Sequence, residues 1–372
     1  MDVILMRVLF LQPQPCIRAL KLAKGLRWAM GEEVSIVFGY LDRTLTELYG
    51  YGDELFDEFV MLSREDPQKS ISELVEGYKP HIIHSHNAPD FLTVSAINAV
   101  DDTPVIHDTH DALTMRKMGY YAGDDAERIK EYAEEEKIAN EQSDGRIYVT
   151  EGVRDYVRKL YSVDHEVDLV FHNYVSEDLI PPELTEKLSD KDGEIHIVYA
   201  GTITSQIEGH HYDLRGIFGE IAKHGFHIHI YAAREDEAYL KLADENNFIH
   251  YHGHLDQRVL MKGLKKYDFG WAGFNDVNNK EHLDVALPNK ALEYIACGLP
   301  VLTLPHKTLS EFVEEHQVGL VINSFDMKEK LAESEEIREN VIKKRYEFTI
   351  ESNINQLIQF YTNLIARAQA VN

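Results

Sequence analysis

Cysteine is almost absent from this chain: two residues in 372, Cys16 and Cys297. They lie far apart and in different expected domains, which excludes a disulfide framework and suits a reducing cytoplasm. Positive charge is also scarce. Thirty-eight Lys and Arg stand against 64 Asp and Glu, a formal net charge of −26. That balance argues against a nucleic-acid partner and against general adhesion to anionic lipid. Long apolar runs are missing too. Val3 to Leu11 is too short to span a bilayer, has no basic n-region and is followed by no cleavage pattern. There are no internal repeats and no low-complexity segments. What is present, 44% hydrophobic and 27% charged residues, is ordinary globular composition. A chain of this length exceeds one hydrophobic core, so a soluble cytoplasmic protein of two domains is expected.

Strand and helix patterns alternate throughout. Arg7–Leu11, Glu33–Phe38, His81–Ser85, Pro104–Asp108, Gly145–Thr150 and Leu169–Asn173 read as buried strands. Helical periods separate them at about 17–30, 71–76, 90–99 and 126–142. The period fades from Tyr174 to Gly193, through Pro181-Pro182 and a charged run, which reads as a linker. A second alternating set begins at Ile195–Ala200 and continues through His227–Tyr231, Ile249–His252, Phe269–Ala272, Val301–Leu304 and Leu320–Ile322. This grammar specifies two α/β halves with parallel sheets. A final apolar helix covers Ile354–Ile365.

The most informative stretch runs from Leu287 to Val301. Pro288 sits at or just before a helix start, where a missing N–H is harmless. Lys290 and Glu293 share a face three residues apart, near free N–H groups that favour an anion. Upstream, Val198-Tyr199-Ala200-Gly201-Thr202 is a strand that ends in a small residue. In the first half, Val105-Ile106-His107-Asp108-Thr109-His110-Asp111 is a strand ending in a His/Asp cluster, at the end where α/β sheets collect ligands.

These motifs resemble the retaining glycosyltransferases of family 4 (group 1), in the subgroup with Pro-x-Lys-x-x-Glu, here Pro288, Lys290 and Glu293. The resemblance is strongest from Ile195 to Ile322. It implies the GT-B fold: two Rossmann-like doubly wound parallel-sheet domains with a cleft between them, and a C-terminal helix crossing back to the first. The expected boundaries are an acceptor domain at 1–174, a linker at 175–193, a nucleotide-sugar domain at 194–350 and the helix at 351–372. The implied donor is a UDP- or GDP-sugar, with no cofactor and no metal required. Its site would comprise Gly201, Thr202, Arg234, Asn289, Lys290, Ala291 and Glu293, with Glu293 on the ribose. His110, with Asp111, takes the catalytic or acceptor-side place, as a neutral imidazole that donates to a sugar hydroxyl or holds the acceptor. The acceptor would be a glycan or a lipid-linked molecule.

The chain departs from the family at three points. Ile203 to His211 has no Lys or Arg to neutralise a diphosphate, so Lys290 carries more of that burden, with Arg234 as a second cation. Val285 stands where many relatives have a first Glu. Gln12-Pro13-Gln14-Pro15-Cys16 replaces the usual Gly-Gly pair. Arg18, Lys21, Lys24 and Arg27 recur every three residues, and Met115–Tyr121 is basic and aromatic. Both read as candidate contacts to an anionic acceptor or to a membrane surface, against solvated helix and loop. Asp108, His110 and Asp111 also resemble a metal cluster, a weaker reading than the ligand-binding one. Two rivals to a transferase stand: a catalytically silent GT-B subunit that binds a sugar nucleotide or a partner enzyme, and a sugar-nucleotide epimerase.

Overall fold

The computed structural model describes residues 5–116, 124–183, 185–332 and 334–371. The chain divides into two compact units, Met1–Asn173 with Asn353–Asn372, and Tyr174–Ser352. Each is built on one parallel sheet.

In the first unit the strands are β1 (Met6–Leu11), β2 (Val34–Tyr40), β3 (Glu58–Met61), β4 (Ile82–His86), β5 (Val105–Thr109), β6 (Gly145–Tyr148) and β7 (Asp168–Val170). Their order is β3-β2-β1-β4-β5-β6-β7 and every pairing is parallel. Central strands such as Val8-Leu9-Phe10-Leu11 are fully buried, as continuous apolar runs covered on both faces must be. β3 escapes detection in the sequence for the opposite reason. It is a four-residue edge strand, exposed at both ends, and its short apolar run Phe59–Leu62 sits between acidic and polar segments. The terminal Ile350–Val371 helix returns to this sheet. Tyr361 is fully buried in it, and a Cβ on Gly145 of β6 would lie 2.5 Å from Leu364 Cδ1.

In the second unit β8 (His196–Gly201), β9 (His227–Ala232), β10 (Ile249–Gly253), β11 (Phe269–Trp271), β12 (Val301–Thr303) and β13 (Gly319–Val321) are ordered β10-β9-β8-β11-β12-β13. This repeats the order of the first six strands of the other sheet. In both sheets the order reverses beside the first strand, at β1/β4 and β8/β11. The carboxyl ends of strands there are where such sheets bind ligands. Residues 175–193, expected as a linker, are folded against the second unit. Val175 bridges to Thr349, Ser176 and Glu177 bond Glu351, and Arg345 donates to the Pro181 carbonyl.

The basic stripe on the Ile17–Met30 helix does not face outward. Steps of three residues drift about 60° each around a helix of 3.6 residues per turn, so the three steps from Arg18 to Arg27 wind half-way round it. Arg18 and Lys21 are 2% and 6% exposed. Arg27 bonds Asp57 and the carbonyls of Leu55 and Val34, and Lys24 is half-buried. The stripe is therefore not a membrane-docking face. Of the second basic stretch, Met115 is buried and Lys117–Tyr121 lie outside the described residues.

One packing constraint links strand to site. Tyr294 lies flat against Gly270 of β11, where a Cβ would come within 2.1 Å of the ring, and its hydroxyl accepts the Ala200 N–H at 2.9 Å. Gly270→Ala overpacks this contact, and we expect a loss of about 1–3 kcal/mol, read as a lower urea midpoint at unchanged slope.

Candidate functional site

In the second unit, the Asn289–Ala296 helix starts after Pro288, which takes the extended N-cap position. Its first turn brings Lys290 to the end of β8. Gly201 has φ +155°, a conformation that L side chains rarely adopt, and a Cβ there would stand 3.1 Å from Lys290 Cε and Nζ. The bare backbone of Gly201 is thus what admits the lysine. Lys290 is 8% exposed. Its Nζ donates to the Tyr199 hydroxyl at 2.9 Å and lies 4.1, 5.6 and 5.5 Å from the ring centres of Tyr199, Tyr212 and Phe274. The Tyr199 hydroxyl donates onward to the Thr202 carbonyl.

Burial pulls the Lys290 pKa down to about 7, with Glu293 opposing. Aromatic faces and one hydroxyl only partly replace the water the ammonium has lost. Glu293 is half-buried and accepts from Gln257 at 3.3 Å. Thr202 and Asn289 are accessible at the same strand end and helix start. Ala291 is fully buried, and its N–H bonds the Pro288 carbonyl. Arg234 is exposed, two residues beyond Ala232, the register partner of Gly201. Next to it, Asp236 ties down the loop after β8 by accepting from the Ser205 N–H and hydroxyl at 2.8–2.9 Å.

In the first unit, Asp108 is the hub. Its Oδ2 accepts Arg18 Nε at 2.7 Å and His84 Nε2 at 3.0 Å, with His86 Nδ1 at 3.4 Å and His110 Nε2 at 3.7 Å. Arg18 also donates to Asn173 at 2.8 Å, and His84 Nδ1 meets the Tyr361 hydroxyl. The His110 N–H donates to the Asn87 side chain at 2.8 Å. Its ring is 17% exposed and stands 3.9 Å from the Cys16 thiol. Asp111 is half-buried, and its carbonyl takes the Asn87 amide.

Burial disfavours a charged His110, but Cys16 and Asp108 together raise it to about 9. Cys16 and Asp108 thus favour the protonated ring, a hydrogen-bond donor, over the neutral imidazole expected from the sequence. Burial likewise opposes a Cys16 thiolate, yet His110 and backbone N–H groups bring the thiol down to about 7.

Among the described residues, one group of three side chains has metal-ligand atoms within 4.8 Å of one another: His84, His86 and Asp108. It includes neither His110 nor Asp111 of the cluster suggested by the sequence. Arg18 already supplies the positive charge at Asp108, so the group fits an ion-pair network better than a metal centre.

Residues 22–178 match the family described as Glycosyltransferase Family 4, and residues 215–359 match the C-terminal domain of the Glucosyltransferase 3-like family. The chain resembles the family 4 glycosyltransferases. It has the GT-B fold. No curated protein matches it. A glycosyltransferase from Rickettsia africae superposes with a TM-score of 0.65 at 13% identity, over 97% of this chain and 98% of that one. A sucrose-phosphate synthase from Thermosynechococcus elongatus gives 0.67 at 14%, over 97% and 100%. Anabaena HepE, in complex with UDP and glucose, gives 0.64 at 12%, over 96% and 100%. At such identities the solved structures establish the fold, while the two family matches support a glycosyltransferase. No described helix of this GT-B protein is long and apolar enough to cross a membrane.

No sequence pattern placed Tyr199, Tyr212 and Phe274 beside Lys290, Arg18 at Asp108, Tyr361 at His84 or Cys16 at His110. Tyr199 was within reach, because two residues before Gly201 on a strand means the same face.

Two outcomes follow for these residues. Lys290→Met removes a buried, poorly solvated amine, so the variant should be more stable than the parent by about 1–4 kcal/mol at pH 7, read as a higher melting temperature. A lower melting temperature would contradict the burial argument. In the first unit, burial holds His84 and His86 below the ordinary imidazole range and His107 down at about 3. Unfolding returns them to about 6.5, so the unfolded chain takes up protons that the folded chain refuses. Their stabilising contribution is complete above that pH and lost below it. A melting-temperature series should fall between pH 7.5 and 5.5.

Proposed function

We propose that this protein is an active retaining glycosyltransferase that moves a sugar from a nucleoside diphosphate sugar, of the UDP or GDP class, to an acceptor hydroxyl without a bound metal. The observation that carries the reading is Lys290 at the bare backbone of Gly201. The loop after β8 has no cation of its own, and Lys290 reaches into its place. A leaving nucleoside diphosphate gathers negative charge as the sugar bond breaks, and a cation already in position stabilises it. Arg234 is the second cation at this strand end. Thr202 and Asn289 offer polar groups to the phosphates, and Glu293 takes the ribose hydroxyls. HepE, which shares the fold, is known with UDP-glucose, which supports a uridine donor.

On the acceptor side, the charged His110 holds a hydroxyl or phosphate oxygen by donation, with Asp111 beside it. A charged His110 does not itself serve as the base, and no base is needed from it. In a retaining displacement the departing phosphate itself takes the acceptor's proton. The acceptor is proposed as a glycan or lipid-linked hydroxyl, and the enzyme as cytoplasmic.

The test is a thermal-shift panel of UDP, GDP, ADP, CMP and their sugar conjugates, with and without magnesium, followed by slow donor hydrolysis read by NMR. We expect one nucleoside diphosphate to raise the melting temperature without magnesium, and the released sugar to keep the donor's anomeric configuration. Lys290→Met should lose at least tenfold in affinity while staying folded. A flat panel would overturn the donor reading, and an inverted sugar would overturn retention.

A further inference from the structure

Five histidines crowd one face of β8, β9 and β10, at the opposite end of β8 from Gly201. His196 is the first residue of β8 and Gly201 the last. His227 and His229 alternate on β9, and His250 and His252 on β10, the edge strand. Strand side chains repeat every two residues, and at His252, where the β9/β10 register shifts, a 5.2 Å stack on His229 keeps the ring on the same side as the other four. The other face carries Ile197, Tyr199, Ile228, Ile230 and Ile249, buried in the core of this unit. Register partners stack: His196 on His227 at 4.6 Å and His229 on His250 at 4.4 Å between ring centres.

Diagonal neighbours meet nitrogen to nitrogen, and this sorts the rings into two files. In one, His252 Nε2 meets His229 Nδ1 at 2.9 Å, His229 Nε2 meets His196 Nδ1 at 2.9 Å, and His196 Nε2 meets Asp192 at 3.0 Å. In the other, His250 Nε2 meets His227 Nδ1 at 2.8 Å, and His227 Nε2 meets Glu194.

A carboxylate at the end of a file sets every proton in it. Asp192 accepts, so His196 Nε2 carries hydrogen and its Nδ1 is an acceptor. The same choice then passes to His229 and to His252. Each file therefore finishes on the edge strand with a bare Nδ1 lone pair, one on His252 and one on His250. Neither atom has a hydrogen-bond partner among the described residues. A metal-bound histidine typically donates its other N–H to a carboxylate or to another acceptor, which fixes the tautomer and strengthens the ligand. Both files have that arrangement, with imidazoles passing the effect along.

We propose that His250 and His252 capture a divalent transition-metal ion of the copper, nickel or zinc class through their Nδ1 atoms, as the outer ends of two carboxylate-anchored histidine files. Their ring centres are 6.5 Å apart and their planes differ by 20°. Two bonds of about 2.0 Å place the ring centres about 5–6.5 Å apart, so the observed spacing is compatible with one ion once the side chains rotate to turn both Nδ1 atoms toward it. Imidazole nitrogen suits these ions over magnesium or calcium, with copper bound most tightly. Two protein ligands leave the remaining positions to water. His252 is exposed and His250 half-buried, so the ion enters from solvent. Lys266 is the like charge acting on His252, and it opposes binding.

The experiment is calorimetric titration of the full chain, free of any affinity tag, with CuCl2, NiCl2 and ZnCl2 at pH 7.5. One ion per chain should bind, copper tightest, and raise the melting temperature. The double variant His250→Gln/His252→Gln should lose at least tenfold in affinity with an unchanged melting temperature in chelator. Asp192→Asn keeps both ligands but removes the anchor of one file, and should weaken binding several-fold. Lys266→Ala should tighten it. Imidazole nitrogen NMR should show the shift at Nδ1. Absence of saturable micromolar binding would overturn the proposal. So would wild-type affinity in the double variant, which would place the ion elsewhere, for instance at His84, His86 and Asp108.

Discussion

An ammonium group held almost without water organises the second unit. Lys290 rests on Tyr199 and on the naked backbone of Gly201, and three further features are tied to that contact. Gly201 must lack a side chain. Tyr294, in the same short helix, must hold the Ala200 N–H so that β8 ends where the lysine arrives. Gly270 must then be bare to admit Tyr294. None of this is the arrangement a stable fold would choose for itself, since a buried cation beside aromatic rings is poorly compensated. It is the arrangement a site would choose if an anion completes it. Strain of this kind is expected where sequence and structure serve binding rather than stability.

The first unit meets the same difficulty with a different answer. Asp108 is fully buried, but Arg18 reaches it from the Ile17–Met30 helix and His84 from the neighbouring strand. The terminal helix contributes Tyr361 to the far side of His84. The chain thus closes its own network with its last helix, and the charge left over is expressed at the accessible His110. One unit buries a lysine whose charge is poorly compensated, and in the other Cys16 and Asp108 favour a protonated His110.

Most of the architecture was legible because parallel strands buried on both faces write themselves as apolar runs. Twelve of the thirteen strands stand at or near their expected places, and the exception is the edge strand at Glu58–Met61, whose apolar run is short and whose residues are exposed or half-buried. The Lys290 and Glu293 spacing was legible for a similar reason, since a helix start imposes it. The environment of Lys290 was not, because Tyr212 and Phe274 come from loops whose approach no local pattern encodes. Arg18 shows the opposite error. A basic residue every third position looks like a surface stripe in one dimension, but helical drift carries Arg18 and Lys21 inward to partners at Asp108 and Asn173, about 90 and 150 residues away in sequence.

Lys290 should become fully charged only when a diphosphate arrives. Calorimetry of UDP binding at pH 8, repeated in buffers of different ionisation enthalpy, counts the protons taken up. With a free pKa of about 7, the lysine is mostly neutral at that pH and should take up close to one proton per site, and Lys290→Met should take up none. Binding with no proton uptake, or the same uptake in the variant, would contradict the assignment of Lys290 as the cation that holds the donor.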